Sequence, residues 1–343
     1  MAHARLRDVA ALAGVSIRSV SNVVNGYAPV SDAVRQRVGA AVEQTGYRPN
    51  VLARNLRQGR TGRLALIVPE LDVPYFAELA RVVITHAHSR GFTVVIDQTD
   101  GDADREKELV LADSRASLFD GVILSPLALT QEDLAQHDPS IPLVLLGERI
   151  ANSPYDHVAI DNAAAARAAT GHLLDMGYRR VAAIGDQPYE TGETAQVRTR
   201  GYRQAHADAG LAVDENLLVA CPHFHREDGA RAMAALLDRA GPTPDAVFCF
   251  NDLLALGALR TLLSRGHQVP RDVAIIGFDD IEDGRYATPS LSTIAPDKAQ
   301  IARLAVDRLI GRVDGSITGP GTELWADWQL QARETTCAPT TDR

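Results

Sequence analysis

Lysine is nearly missing from this chain: Lys107 and Lys298 are the only two in 343 residues. Cysteine is also scarce. Cys221, Cys249 and Cys337 are widely spaced and odd in number, which excludes a disulfide framework and a paired-cysteine zinc site and points to a reducing compartment. No apolar run approaches the length that a membrane span needs. The opening Met1-Ala2-His3-Ala4-Arg5 lacks the apolar stretch of a secretory signal. The sequence contains no Gly-x-x-x-x-Gly-Lys phosphate loop, no Gly-x-Gly-x-x-Gly, no Gly-x-Ser-x-Gly elbow and no His-Glu-x-x-His. These absences suit a binding protein better than an enzyme, and no cofactor, metal or membrane partner is expected.

What is present is a charge asymmetry. Through Arg60 the chain carries nine arginines, no lysine and three acids, a net of +6; the net of the whole is −9, so the remainder carries −15. A basic head on an acidic body suggests nucleic-acid contact confined to one end, although a solvated basic surface would have the same count.

Within that head, Leu6, Val9, Ala10 and Ala13 recur at helical spacing and Gly14 interrupts them. Ser16 can cap a second helix whose Val20, Val23 and Val24 face inward, leaving Ile17, Arg18, Ser21 and Asn22 outward. Asn25-Gly26 stops it. Spacing alone also fits an ordinary pair of packed helices; a helix-turn-helix would place the second helix in a DNA major groove. Ser31 can cap a third helix, Asp32 to Thr45, with Val34, Val38, Ala41 and Val42 inward and Gly46 after it. A two-turn helix over Asn50 to Arg57 would stack Leu52 on Leu56 and is too short to hold alone.

The runs Asp8-Val9-Ala10 and Ala13-Gly14-Val15-Ser16, the Val20-Ser21 pair, Asn25, Val30-Ser31 and Gly46-Tyr47-Arg48-Pro49-Asn50 together resemble the headpiece of the lactose/galactose-repressor (LacI/GalR-type) family of bacterial transcriptional regulators. The resemblance implies base reading by Ile17, Arg18 and Asn22. Arginine can grip guanine and asparagine adenine in bidentate pairs, and Ile17 could meet only a thymine methyl or the backbone. It assigns Ser16, Ser21, Asn25, Ser31 and Tyr47 to phosphates or caps. It makes Asn50, Ala53 and Leu56 parts of a hinge helix in the minor groove, with Leu56 as an intercalating wedge. Many family members carry arginine at the position of Asn22, which leaves the operator sequence open.

From Arg63 apolar runs alternate with helical stretches. Leu64–Val68, Thr93–Ile96, Gly121–Leu124 and Leu143–Leu146 form one series, with helices over Phe76–Arg90 and Arg105–Ser117. Val181–Ile184, Ala246–Phe250 and Val273–Gly277 form a second, with helices over Asn162–Met176, Thr199–Ala209, Glu227–Asp238 and Asp252–Arg265. Such runs fit parallel strands covered on both faces. The expected architecture is an all-α helix-turn-helix headpiece (1–48), a hinge (49–61), and an α/β core (62–343) of two doubly wound parallel-sheet lobes. That core resembles periplasmic binding proteins, as the family's does. The lobe boundary is expected near 161, with crossovers near 291 and 325 and a single strand over Thr322–Thr336 crossing back.

Ligands of such folds sit at strand ends, between lobes. The candidates there are Tyr75 and Phe76, Arg198, Phe224, Asn251 and Asp279. A guanidinium, a carboxylate and an amide can hold vicinal hydroxyls while aromatic faces stack on C–H groups. Family positions matching Arg198, Asn251 and Asp279 anchor the effector, and an aromatic at Phe224 stacks on it. A mono- or oligosaccharide effector follows, with a purine as the other scaffold-compatible class. Asp252 reads equally as a helix cap, Asp280 as a loop orienter and Arg200 as an ion-pair partner. His223 and His225 have no third ligand for a metal. No leucine-heptad extension follows the core, so the family resemblance implies a cytoplasmic homodimer on a palindromic operator. A solute-binding protein or sensor without DNA binding, and an enzyme acting on a sugar, are the alternatives.

Overall fold

The structure is a computed structural model that describes residues 4–25, 30–47, 60–111, 118–150, 153–189, 193–239 and 241–336. The chain divides into two compact units, Met1–Thr61 and Gly62–Arg343. The first contains α1 (Leu6–Ala13), α2 (Ile17–Asn25) and α3 (Asp32–Thr45). Its core is made of small side chains, with Val9, Ala10, Ala13, Val20, Val38 and Ala41 buried and Leu6, Val23, Val24 and Tyr47 packed around them. Gly14 ends α1 in the left-handed region at φ 61°, and Val15 N–H returns to the Ala10 carbonyl. Ser16 Oγ then accepts the Ser19 N–H at 3.0 Å and starts α2. Ser31 precedes α3, but its hydroxyl makes no capping bond; its carbonyl accepts the Val34 and Arg35 amides instead. The expected Ser31 side-chain cap is therefore corrected. The hinge positions Asn50, Ala53 and Leu56 lie outside the described residues.

The second unit carries two six-stranded sheets. Lobe one is built on β1 (Arg63–Val68), β2 (Thr93–Gln98), β3 (Gly121–Leu124), β4 (Leu143–Leu146), β5 (Asp156–Ala159) and β11 (Glu323–Trp325). Lobe two holds β6 (Val181–Asp186), β7 (Leu218–Ala220), β8 (Ala246–Cys249), β9 (Ala274–Phe278), β10 (Ser292–Pro296) and β12 (Trp328–Gln331). Strand order is β2-β1-β3-β4-β5-β11 in one and β7-β6-β8-β9-β10-β12 in the other, the same plan twice. All pairings are parallel except β12 on β10. β3, β4, β8 and β9 are buried throughout, as strands covered on both faces must be.

Helices α4 (Pro74–Ser89), α5 (Ala103–Leu111), the single turn α6 (Gln131–Leu134) and α12 (Lys298–Asp314) belong to lobe one. Lobe two has α7 (Asn162–Asp175), α8 (Glu193–Asp208), α9 (Arg226–Asp238), α10 (Asp252–Ser264) and the single turn α11 (Glu282–Arg285). The helices of lobe two pair at glycine. A Cβ on Gly257 would stand 1.9 Å from the Arg226 carbonyl oxygen, and one on Gly229 2.1 Å from that of Leu254, so α9 and α10 touch backbone to backbone.

The chain crosses between lobes after β5, again between β10 and α12, and finally at Ala326-Asp327. The second crossing follows Pro296, later than residue 291, because Ser292–Pro296 is itself a strand. The tail is two short strands on different sheets, correcting the single strand expected over Thr322–Thr336. Both tryptophans of the chain, Trp325 and Trp328, flank this last crossing, and Trp325 is 56% exposed. β5 hides a charge: Asp156 accepts Arg308 Nε at 2.8 Å, Arg312 Nε at 2.7 Å and the Thr322 N–H at 2.9 Å. Burial raises its carboxyl, but the two arginines prevail and hold it below the usual range.

Candidate functional site

On the headpiece, α2 turns Val20 wholly inward and leaves Ile17 54% exposed. Arg18 is exposed, and Ser21 and Asn22 are half-buried. Residues 17, 18, 21, 22 and 25 share one face through their three- and four-residue spacings. Ser16 Oγ is engaged at the cap and also meets Ser19 Oγ at 2.9 Å. Tyr47 packs its ring against the headpiece core. Asn25 closes α2, and its side chain is outside the described residues.

In the core, the cleft wall of lobe two is built at strand and helix ends. Arg198, in the body of α8, is 7% exposed. Its Nε donates to Asn162 Oδ1 at 2.8 Å, its Nη1 donates to the Phe250 carbonyl, and its guanidinium lies 3.6 Å from the centre of the Phe278 ring. Every one of these partners belongs to lobe two, so the guanidinium is fixed before anything else meets it. Burial lowers its proton affinity, opposed by the Asp279 and Glu148 charges.

Asp279 follows β9 at φ 114°, a conformation rare for a residue with a Cβ, and Asp280 follows at φ 49°. The Asp279 N–H is held by the Ile294 carbonyl at 2.8 Å. Burial lifts its carboxyl to about 7 although Arg198 and Lys298 pull it down. Asp252, 1% exposed, supports this loop: its Oδ2 accepts the Ile281 N–H at 2.9 Å and its Oδ1 accepts Thr293 Oγ1 at 2.7 Å. Asn251, not Asp252, is the helix cap. Its Oδ1 accepts the Leu254 N–H at 2.8 Å, while its Nδ2 donates to the Phe224 carbonyl at 3.0 Å. Phe224 meets Phe250 edge-on, with centroids 6.5 Å apart.

Lobe one supplies the facing wall. Tyr75 and Phe76 stand in the first turn of α4, ring to edge at 5.3 Å, and Lys298 Nζ lies 5.7 Å from the Tyr75 ring centre. Burial raises the Tyr75 hydroxyl, and the Asp279 and Glu148 charges add to it; Lys298, over the Tyr75 ring, also binds the Asp280 carbonyl next to Asp279.

The structure thus brings Tyr75, Arg198 and Asp279 together, with Asn251 and Phe224 tied to each other on the same lobe. It adds residues that sequence patterns did not single out: Glu148, Asn162, Glu70, Lys298 and the Phe278 ring beneath Arg198. Glu148 could have been found, since it lies two residues past a buried strand, where Asp279 lies one past its own. The expected start of a helix near Thr199 is corrected to Glu193, so Arg198 stands in the second turn of α8. Asp280 pairs with Arg285 and Arg333, as a loop orienter would, whereas Arg200 is exposed and forms no ion pair with a described residue. His223 stacks on His225, and His225 bonds to Glu70.

A small helix-turn-helix unit joined to a two-lobed α/β core with a polar, aromatic-walled cleft defines a ligand-responsive DNA-binding regulator. Residues 5–50 match the family described as bacterial regulatory proteins, lacI family, and residues 170–336 match a periplasmic binding protein-like domain. The HTH-type transcriptional regulator DegA of Bacillus subtilis is 35% identical over 292 residues, 84% of this chain and 85% of its own. A putative LacI-family regulator from Sanguibacter keddieii is 46% identical, with a TM-score of 0.74 over 81% of this chain and 99% of its own. The transcriptional regulator CelR in complex with cellobiose is 33% identical, with a TM-score of 0.71 over 97% of this chain and all of its own. The chain belongs to the LacI family: it is a transcriptional repressor with a periplasmic-binding-like core for a small-molecule effector.

Proposed function

We propose that the effector is an uncharged sugar bound between the lobes, and that it acts as a ligand rather than as a substrate. The observation that carries this reading is Arg198, buried and immobilised on lobe two with Asp279 nearby. A fixed donor and a fixed acceptor suit adjacent hydroxyls, and Tyr75, Phe76 and Phe224 suit the C–H faces of a ring. The likeness to a cellobiose-bound relative supports the same class.

On DNA, Ile17, Arg18 and Asn22 read bases. Ser16, Ser21, Asn25, Ser31 and Tyr47 serve phosphates or the helix framework. Asn50, Ala53 and Leu56 form the minor-groove hinge, with Leu56 as the wedge. The working form is a cytoplasmic homodimer on a palindromic operator. Ligand and operator affinities are then linked reciprocally, and a coupling of about 1–3 kcal/mol changes operator binding about 5- to 150-fold.

The test is a thermal-shift screen of the full chain against mono- and disaccharides and purine bases, followed by gel shifts on genomic fragments. A sugar present at about 100 times its Kd adds about 2.7 kcal/mol to stability. Arg198→Ala is expected to lose that shift and keep DNA binding. A response to purine bases alone overturns the sugar assignment, and an unchanged sugar response in Arg198→Ala removes Arg198 from the site.

A further inference from the structure

We infer that three glutamates of lobe one, Glu70, Glu78 and Glu148, form a clasp that closes the cleft through protein contacts alone. Each accepts a hydrogen bond from a donor on lobe two. His225 Nε2 reaches Glu70 Oε2 at 2.7 Å. The Glu282 backbone N–H reaches Glu78 Oε1 at 3.0 Å. Thr194 Oγ1 reaches Glu148 Oε2 at 2.7 Å, and Asn162 Nδ2 donates to the other oxygen of the same carboxylate. Lys298, at the second crossing, reinforces the middle contact: its Nζ binds Glu78 Oε2 and the Asp280 carbonyl, the latter at 3.1 Å.

The arrangement is systematic. Glu70 and Glu148 each lie two residues beyond a lobe-one strand, and Glu78 lies one turn into α4. The donors come from separate segments of lobe two: the turn before α9, the first residue of α11 and the start of α8. No local folding of either lobe brings these partners together, so the contacts form as a set when the lobes meet and separate as a set when they part. Bonds to an ionised carboxylate are the stronger kind of hydrogen bond. The clasp therefore sets the balance between open and closed cleft, and the effector biases a closure that these residues already favour. This goes beyond the sugar assignment and holds whichever compound the cleft takes.

The Glu282 amide reads the clasp directly. Hydrogen exchange of the full chain, with no small molecule added, is expected to show this amide protected. Glu70→Ala and Glu148→Ala, neither of which touches Glu282, are each expected to speed its exchange about tenfold, because each raises the open population. Thr194→Val, which removes a donor from the opposite lobe, is expected to do the same. Amides of β8 and β9 should stay protected in all three, which separates cleft opening from loss of fold. A Glu282 amide that exchanges freely in the unaltered chain overturns the clasp. So does one that is indifferent to the Glu70, Glu148 and Thr194 variants.

Discussion

The two lobes repeat one strand order, yet they meet the cleft in different ways. In lobe two the polar side chains of the wall are anchored within the lobe: Arg198 by Asn162, Phe250 and Phe278, Asn251 by its own helix and Phe224, and the Asp279 loop by Asp252 and Ile294. In lobe one Glu70, Glu78 and Glu148 each commit an oxygen to the opposite lobe. Glu148 after β4 and Asp279 after β9 occupy matching places in the two sheets, and only Asp279 is deeply buried. A duplicated scaffold thus has one half whose cleft residues are anchored within it and another whose acids reach across. Interior packing does not follow this division, since both lobes bring backbone close at glycine, α9 on α10 at Gly257 in lobe two and Gly321 on Tyr155 in lobe one.

Gly257 is the position where substitution should damage lobe two most. Gly257→Val puts side-chain atoms where the Arg226 carbonyl stands 1.9 Å from a Cβ position. The loss should exceed the roughly 1–3 kcal/mol of ordinary overpacking, because backbone must move. Proteolysis should then find lobe two cut first and lobe one surviving longer; simultaneous loss of both lobes would mean that they fold as one unit.

Asp279→Asn probes the site itself. A carboxyl raised from 3.8 to about 7 holds its proton in the folded chain where the unfolded chain has released it. Its contribution is complete below about pH 4 and is lost as pH rises through 7, with a slope of up to about 1.4 kcal/mol per pH unit. Denaturation across that window should show the slope in the unaltered chain and a flatter profile in Asp279→Asn; identical profiles would place the titration elsewhere.

The smallest effect sharpens the likeness. Ile67 in β1 and Ile184 in β6 are buried at matching positions, and Ile→Val at either should cost about 0.5–1.5 kcal/mol. Unequal losses in chemical denaturation would show that the lobes differ in their cores as well as at the cleft.

The elements legible in the sequence were the strands with unbroken apolar runs, edge strand β2 among them, and the helices with one apolar face. The runs in β1, β3, β4, β6, β8 and β9, and the headpiece helices, announce themselves by composition. β5 does not, because Asp156 and His157 occupy half of it: the carboxylate is met by arginines more than 150 residues away, and the imidazole by the Gly147 carbonyl. β10 opens with Ser292 and Thr293, whose hydroxyls are satisfied by the chain's last described turn and by Asp252. The first turns of α8 carry Glu193, Thr194, Gln196 and Arg198, a polar set that hides helical periodicity because the last three of these side chains are spent on Glu148, the Gln187–Tyr189 loop and the Phe250 carbonyl. Asn251 and Asp279 were readable from their places just past strand ends, and Arg198 from the family resemblance. Glu70 and Lys298 were not, since their meaning lies in a partner that only the folded core supplies.

The placement of the indoles has a practical consequence. With both tryptophans beside the seam at Ala326-Asp327, emission excited selectively from indole, beyond tyrosine absorption, originates wholly at this crossing. Any rotation of one half against the other must change the surroundings of Trp325 or Trp328, so the unlabelled protein carries its own optical gauge of lobe movement.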